Sequence, residues 1–210
     1  MFSRRITLVL PALAAGLIAA APAAATSHPK KPPVHRPARP VRRSHDPAGC
    51  ADADTPATSA SKQAMRAAVV CLINQQRTSR HLPALQVSSD LDNSAQGWTD
   101  TMVATHQFTH GYDFASRISA AGFHWSSAGE NIATGFQTPR QVVRAWMAST
   151  GHCQNILSPT YQNVGTGVSA HPVPGFASGP STWTQDFGLW MGHSAPSGNY
   201  GPSSGCPYNI

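Results

Sequence analysis

Four cysteines, Cys50, Cys71, Cys153 and Cys206, constrain this chain more than any other feature, because all of them lie beyond a proline-rich stretch that ends at Pro47. What precedes that stretch reads as an export address. Arg4 and Arg5 make a positive start, Ile6 to Ile18 an apolar run and Ala23-Ala24-Ala25 a small-residue cleavage site, so residues 1–25 are expected to be a signal peptide cut after Ala25. Left uncleaved the run would act as an anchor, although it is short and alanine-rich for a membrane span. In an oxidising compartment an even cysteine count reads as disulfides, here two with three pairings open. The pairing expected is Cys50 with Cys71, stapling the start of the domain to its first helix, and Cys153 with Cys206, tying the C-terminal tail beside His152. The second closes a loop of roughly fifty residues, worth about 4 kcal/mol in the chain-entropy picture. A metal role for these cysteines is weak, since no Cys-x-x-Cys pair exists.

The chain carries a net charge of +6, but its placement decides its meaning. Residues 26–47 hold Lys30, Lys31, Arg36, Arg39, Arg42 and Arg43 against Asp46 alone, a net of +5 on a stretch too rich in proline to build a core. It is a semi-rigid linker. It serves either as a solvated spacer or as an arm that adheres to anionic wall polymers or lipid head groups. Residues 48–210, the expected folded domain, keep seven cations against eight acids, so nucleic-acid binding by the fold is excluded as a leading function.

Within that domain, helix and strand periods alternate. Ser61 to Arg80 places Met65, Val69, Leu72 and Ile73 on one apolar face, with Asn74, Gln75 and Arg77 beginning a polar exit before His81-Leu82-Pro83 stops the helix. A second helix opens at Ser88 or Ser89 and stripes Leu91, Ala95, Trp98 and Met102, a core face. A third runs from Asp113 to Ala121. Phe123 to Ile132 reads as a strand, and Thr138-Pro139-Arg140-Gln141 as a capping box opening a fourth helix that carries Val142, Val143, Trp146 and Met147 inward and ends at Gly151. Val164 to Val168 and Thr182 to Phe187 read as two later strands. This order predicts an α+β fold, a mixed sheet with helices packed on both faces.

One residue stands apart: Glu130 is the single glutamate in the chain, every other acid being aspartate. It lies between Gly129 and the pair Asn131-Ile132, at a strand edge where a half-buried carboxylate requires hydrogen bonds, a cation or a metal.

Six segments in order then carry a family resemblance: Leu72-Ile73-Asn74-x-x-Arg77, Phe108-Thr109-His110, Gly129-Glu130-Asn131-Ile132, Trp146-Met147-x-Ser149-x-Gly151-His152-x-x-Asn155-Ile156-Leu157, Gly165-x-Gly167-Val168 and Trp183-Thr184-Gln185-x-Phe187-Gly188. From Ala67 to Gly188 the chain resembles bacterial members of the CAP superfamily, which groups cysteine-rich secretory proteins, insect venom allergens and plant pathogenesis-related proteins. The resemblance implies an α-β-α sandwich with a mostly antiparallel sheet, and a cleft holding two His and two Glu that in some members bind a divalent metal. His110 matches the first His and Glu130 the first Glu. The second Glu falls at Ser149 and the second His at Thr182, so half of that set is missing; His152 is offered instead, with Gln185 to hydrogen-bond in the cleft.

His110, Glu130 and His152 would be the ligand set of an open zinc site, though no metalloprotease motif surrounds them. The same three could instead form a hydrogen-bonded ion pair that holds sheet to helix. His106 rivals His110, whereas His124, His171 and His193 read as solvated. Ser149 reads as a helical serine near a capping glycine, with no Gly-x-Ser-x-Gly elbow around it. The expectation is an exported, monomeric domain that binds an apolar or envelope-derived ligand (lipid, sterol or peptidoglycan fragment) at His110, Glu130, Ser149, His152 and Gln185. A metal-assisted hydrolase, with Glu130 and His110 as its candidate catalytic residues, and a structural interaction module are the alternatives.

Overall fold

The computed structural model describes residues 49–195 and 201–210, so the expected signal peptide and basic linker lie outside the described residues. Helix α1 (Lys62–Thr78) starts where the Ser61 hydroxyl accepts from the Ala64 amide, and its Met65, Val69, Leu72 and Ile73 are all buried. Arg77 corrects the sequence reading. Far from opening a polar exit, it is 1% exposed and donates to the carbonyls of Pro83, Ile156 and Ser158, each at 2.8 Å, and of Tyr161 at 3.3 Å.

Helix α2 (Ser89–Thr105) is capped by Ser88 and closed by His106 in the left-handed region; α3 (Phe114–Ala120) is capped by Asp113. Strand β2 (Trp125–Thr134) follows, then α4 (Pro139–Met147), with Thr138 as its cap and Pro139 in its first turn. The expected capping box is shifted by one residue, since the Gln141 side chain accepts from the amide of Gln137 and not from that of Thr138. The fourth helix also stops earlier than expected. Its last residue is Met147, and Ser149 is the N-cap of a separate helix α5 (Thr150–Ile156), so Ser149 is not a mid-helix serine.

Strands β3 (Asn163–Ser169) and β4 (Thr182–Trp190) complete the sheet with a two-residue strand β1 (Gln86–Val87) that no periodicity announced. The strand order is β1-β3-β4-β2, with β1 parallel to β3 and β4 antiparallel to both of its neighbours. Alternation along β3 assigns the two faces. Val164 and Val168 enter the core formed with α1, α4 and α5, while Cβ atoms added at Gly165 and Gly167 would collide with the backbone of α2 at Leu91, Asp92 and Ala95. The two glycines therefore let α2 sit directly on the sheet, and the result is the mixed, mostly antiparallel sheet with helices on both faces. Both expected disulfides are formed, Cys50–Cys71 and Cys153–Cys206, with Cα separations of 5.7 and 5.8 Å.

Candidate functional site

The cleft is assembled where β2 passes between the end of α2 and the start of α5. Glu130 sits in β2 with its side chain 1% exposed, yet both of its oxygens are bound: Oε1 lies 2.8 Å from Nδ1 of His110 and Oε2 accepts from Arg117 at 2.5 Å. Arg117 comes from α3, is held over the Trp98 ring at 3.8 Å and also donates to the His110 carbonyl. The lone glutamate is thus tied to two cationic or potentially cationic partners from the segment after α2. Sequence reasoning named the histidine and missed the arginine; a cation one turn into a short helix that follows His110 was the available signal.

The next residue faces the other layer. Asn131 is fully buried; its amide nitrogen donates to the His152 carbonyl (3.2 Å) and to Gln185 Oε1 (3.4 Å), and its oxygen accepts from Asn155 (2.9 Å). Asn155 also donates to the Glu130 carbonyl at 3.1 Å, so two asparagines from separate sequence motifs bolt α5 onto β2 and fix His152 beside the strand. Gln185 belongs to this buried bolt and does not line the cleft, whereas His110, Ser149 and His152 do. His152 places its Nδ1 2.9 Å from the Ser149 Oγ, and that hydroxyl makes no capping bond to α5 although it occupies the N-cap. Burial, together with the charge of His110, lowers the basicity of His152 below that of an ordinary histidine.

These side chains rim a cavity of about 610 Å³ whose walls include Phe108, Ile132, Phe136, Trp146 and Phe176. Phe108 and Phe176 approach with ring centroids 5.9 Å apart and also wall a neighbouring cavity of about 590 Å³ toward Trp98, Tyr112 and Arg117. The paired aromatics make a partition. Phe176 itself and, beyond it, Tyr112 are exposed.

The donor set does not suit a divalent metal. Both Glu130 oxygens are already engaged, one by a guanidinium that occupies the place a cation would take. Ser149 and Thr182, where the family resemblance puts a second Glu and a second His, offer only hydroxyls, and that of Thr182 is committed to Thr134 and the His171 carbonyl. Among the described residues no group of three or more His, Cys, Asp or Glu side chains could hold a metal ion.

A further acid was overlooked. Asp186 in β4 is the cross-strand partner of Glu130, is 1% exposed, and receives no hydrogen bond of normal geometry at either oxygen. Burial first, and the Glu130 charge second, push its carboxyl well above the usual range, so it remains protonated where ordinary aspartates ionise.

Comparison with known proteins agrees with this architecture. The sequence pattern of the Cysteine-rich secretory protein family, CAP, matches residues 70–187. The uncharacterized protein YkwD of Bacillus subtilis (strain 168) is 35% identical over 138 residues, covering 63% of this chain and 50% of its own length. This chain thus spans about half the length of that relative. Among solved structures, an extracellular protein containing an SCP domain from Bacillus anthracis superposes with a TM-score of 0.53 at 22% identity, covering 61% of this chain and 44% of that one. An outer surface protein from Borrelia burgdorferi gives a TM-score of 0.52 at 17% identity, covering 59% of this chain and 90% of its own.

Proposed function

The chain belongs to the cysteine-rich secretory protein (CAP) family, with relatives of bacterial type, and on that premise we propose that it acts outside the cell as a binder of an apolar or envelope-derived ligand, a lipid, sterol or peptidoglycan fragment. The observation that carries this reading is the cavity beside Glu130. Its aromatic and aliphatic walls would take up an apolar body, while His110, Ser149 and His152 at its rim would orient a polar end, the usual division of labour in a ligand pocket. Two disulfides fit an oxidising destination. The basic residues of 26–47 would add a salt-sensitive attraction to anionic wall polymers or lipid head groups, and a chain starting at Ala48 should lose it.

The test is displacement of a fluorescent fatty-acyl probe. Wild-type protein should bind it, and Ala145→Trp, which fills the cavity from α4, should weaken binding at least about tenfold while leaving the melting temperature within a few degrees. Failure of the wild type to bind apolar or glycan probes would sink the reading. Zn²⁺ added after chelation should leave the melting temperature unmoved; a rise that Glu130→Gln abolishes would restore the metal-assisted alternative.

A further inference from the structure

Ser149 is in the wrong state for a capping residue. A serine at an N-cap normally accepts from an amide in the first helical turn, worth about 1 kcal/mol, yet the Ser149 hydroxyl leaves α5 uncapped and meets the imidazole of His152 at 2.9 Å. Both side chains are partly exposed, and both line the apolar cavity that His110 also lines. The backbone that carries the imidazole is fixed, because Asn131 holds the His152 carbonyl and Asn155 holds β2 from the same helix, and the ring itself is held by its contact with Ser149. A hydroxyl within hydrogen-bond reach of a positioned base, opening onto a ligand-sized cavity, is the geometry of an activated nucleophile.

We propose that Ser149 and His152 are a nucleophile and general base for acyl transfer from esters with an apolar acyl group, the acyl chain lying against Phe108, Ile132, Phe136 and Trp146. The inference rests on the proposed ligand cavity and adds chemistry to it. In the first step the Oγ–H proton passes to Nδ1 of His152 as Oγ bonds to the ester carbonyl carbon. Breaking of the bond between that carbon and the alkoxy oxygen expels the alcohol, which takes the proton back from Nδ1, and the acyl group stays on Ser149. Water then gives a proton to the same nitrogen while its oxygen adds to the acyl carbon, and Oγ leaves with that proton, releasing the carboxylic acid. The low basicity of His152 keeps the imidazole neutral and able to accept near neutral pH. His110, held on Glu130, supplies positive charge on the same wall when protonated, where the carbonyl oxygen becomes negative. The competing explanation is local: the serine and histidine merely bond each other at a helix start.

The two explanations part under an alkyl fluorophosphonate. Peptide mapping of the full chain after treatment should find the phosphonyl group on Ser149 in preference to the other serines, and His152→Gln should slow that labelling by at least about a hundredfold, the range a general base contributes. Ser149→Ala should abolish hydrolysis of p-nitrophenyl butyrate while its melting temperature stays within a few degrees of that of the wild type. Absence of label on Ser149 after prolonged exposure, labelling indifferent to His152, or unchanged hydrolysis by Ser149→Ala would each overturn the proposal. Retained probe binding in any of those cases leaves the ligand-binding reading standing; loss of probe binding by the wild type removes both.

Discussion

Two ionisable side chains are buried to 1% exposure on opposite faces of the sheet, and the protein treats them in opposite ways. Arg77, in the layer of α1, α4 and α5, has its guanidinium surrounded by four carbonyl oxygens. Burial lowers its pKa to about 10, which still leaves it charged at neutral pH. Asp186, in the layer under α2, has no hydrogen bond of normal geometry at either oxygen, and beside Glu130 it keeps its proton. The contrast marks where this fold concentrates its hydrogen bonds. The arginine joins three segments into one body, whereas the aspartic acid sits next to the cleft as a neutral group whose state depends on Glu130.

The largest expected effect comes from breaking the satisfied member of the pair. Arg77→Met keeps much of the side-chain volume but strands the four carbonyls of Pro83, Ile156, Ser158 and Tyr161, and should cost about 4 kcal/mol. At about 2–4 °C per kcal/mol that is a fall of roughly 8–16 °C in melting temperature. Arg77 lines no part of the cavity and meets α5 at its last residue, Ile156, a turn beyond His152, so probe affinity measured well below the transition should hardly change. A loss under about 1 kcal/mol would mean that the carbonyls find water and that the clamp is unimportant.

Neither buried ionisable group was legible for what it is, and the reasons differ. Arg77 follows the last apolar position of α1, where a cation ordinarily marks solvent; the carbonyls that enclose it come from Pro83 and, far along the chain, from Ile156, Ser158 and Tyr161. Asp186 stands in an alternating strand, Thr182-Trp183-Thr184-Gln185-Asp186-Phe187, whose polar positions look solvent-facing. They are not, because α2 covers the face bearing Thr182, Thr184 and Asp186, as the Thr99–Thr184 hydroxyl contact at 2.8 Å records. What sequence did reveal were the features that local chemistry dictates: Ser61, Asp113 and the pair Ser88-Ser89 as the places where helices start, Thr138 as a cap, the apolar faces of α1, α2 and α4, the strand that carries Glu130, and both disulfides. Of the expected site, His110, Ser149 and His152 share a wall and Glu130 lies against His110, but Gln185 went to the buried bolt with Asn131. Arg117 and the partition of Phe108 and Phe176 depend on loops that no period describes.

Glu130→Gln should produce the second-largest effect and probes the link between the two layers. The amide retains the shape of the carboxylate but cannot neutralise Arg117, whose side chain is largely buried, so a loss of about 2 kcal/mol is expected. The charge on Glu130 is also one cause of the protonation of Asp186, and its removal should therefore ease the ionisation of Asp186. Combining Glu130→Gln with Asp186→Asn should then give a total that departs from the sum of the single changes. Strict additivity would show that the two carboxyls do not sense each other.

Asp186→Asn should have the smallest effect, and its sign depends on pH. Below the usual carboxylate range, both the folded and the unfolded chain hold the Asp186 proton, and the group contributes nothing to the pH dependence. Above about pH 4 the unfolded chain releases it while the folded chain keeps it, because burial and Glu130 hold the folded carboxyl well above its ordinary value. The unfolded state then binds fewer protons than the native state, so this group makes stability fall as pH rises through that window. Asparagine carries no such proton and escapes the fall. The melting temperature of Asp186→Asn minus that of the wild type should accordingly climb by a few degrees between pH 4 and pH 7, whatever its starting value. A difference that stays flat over that range would mean that Asp186 titrates as an ordinary carboxylate, and the contrast with Arg77 would shrink to one of hydrogen-bond number alone.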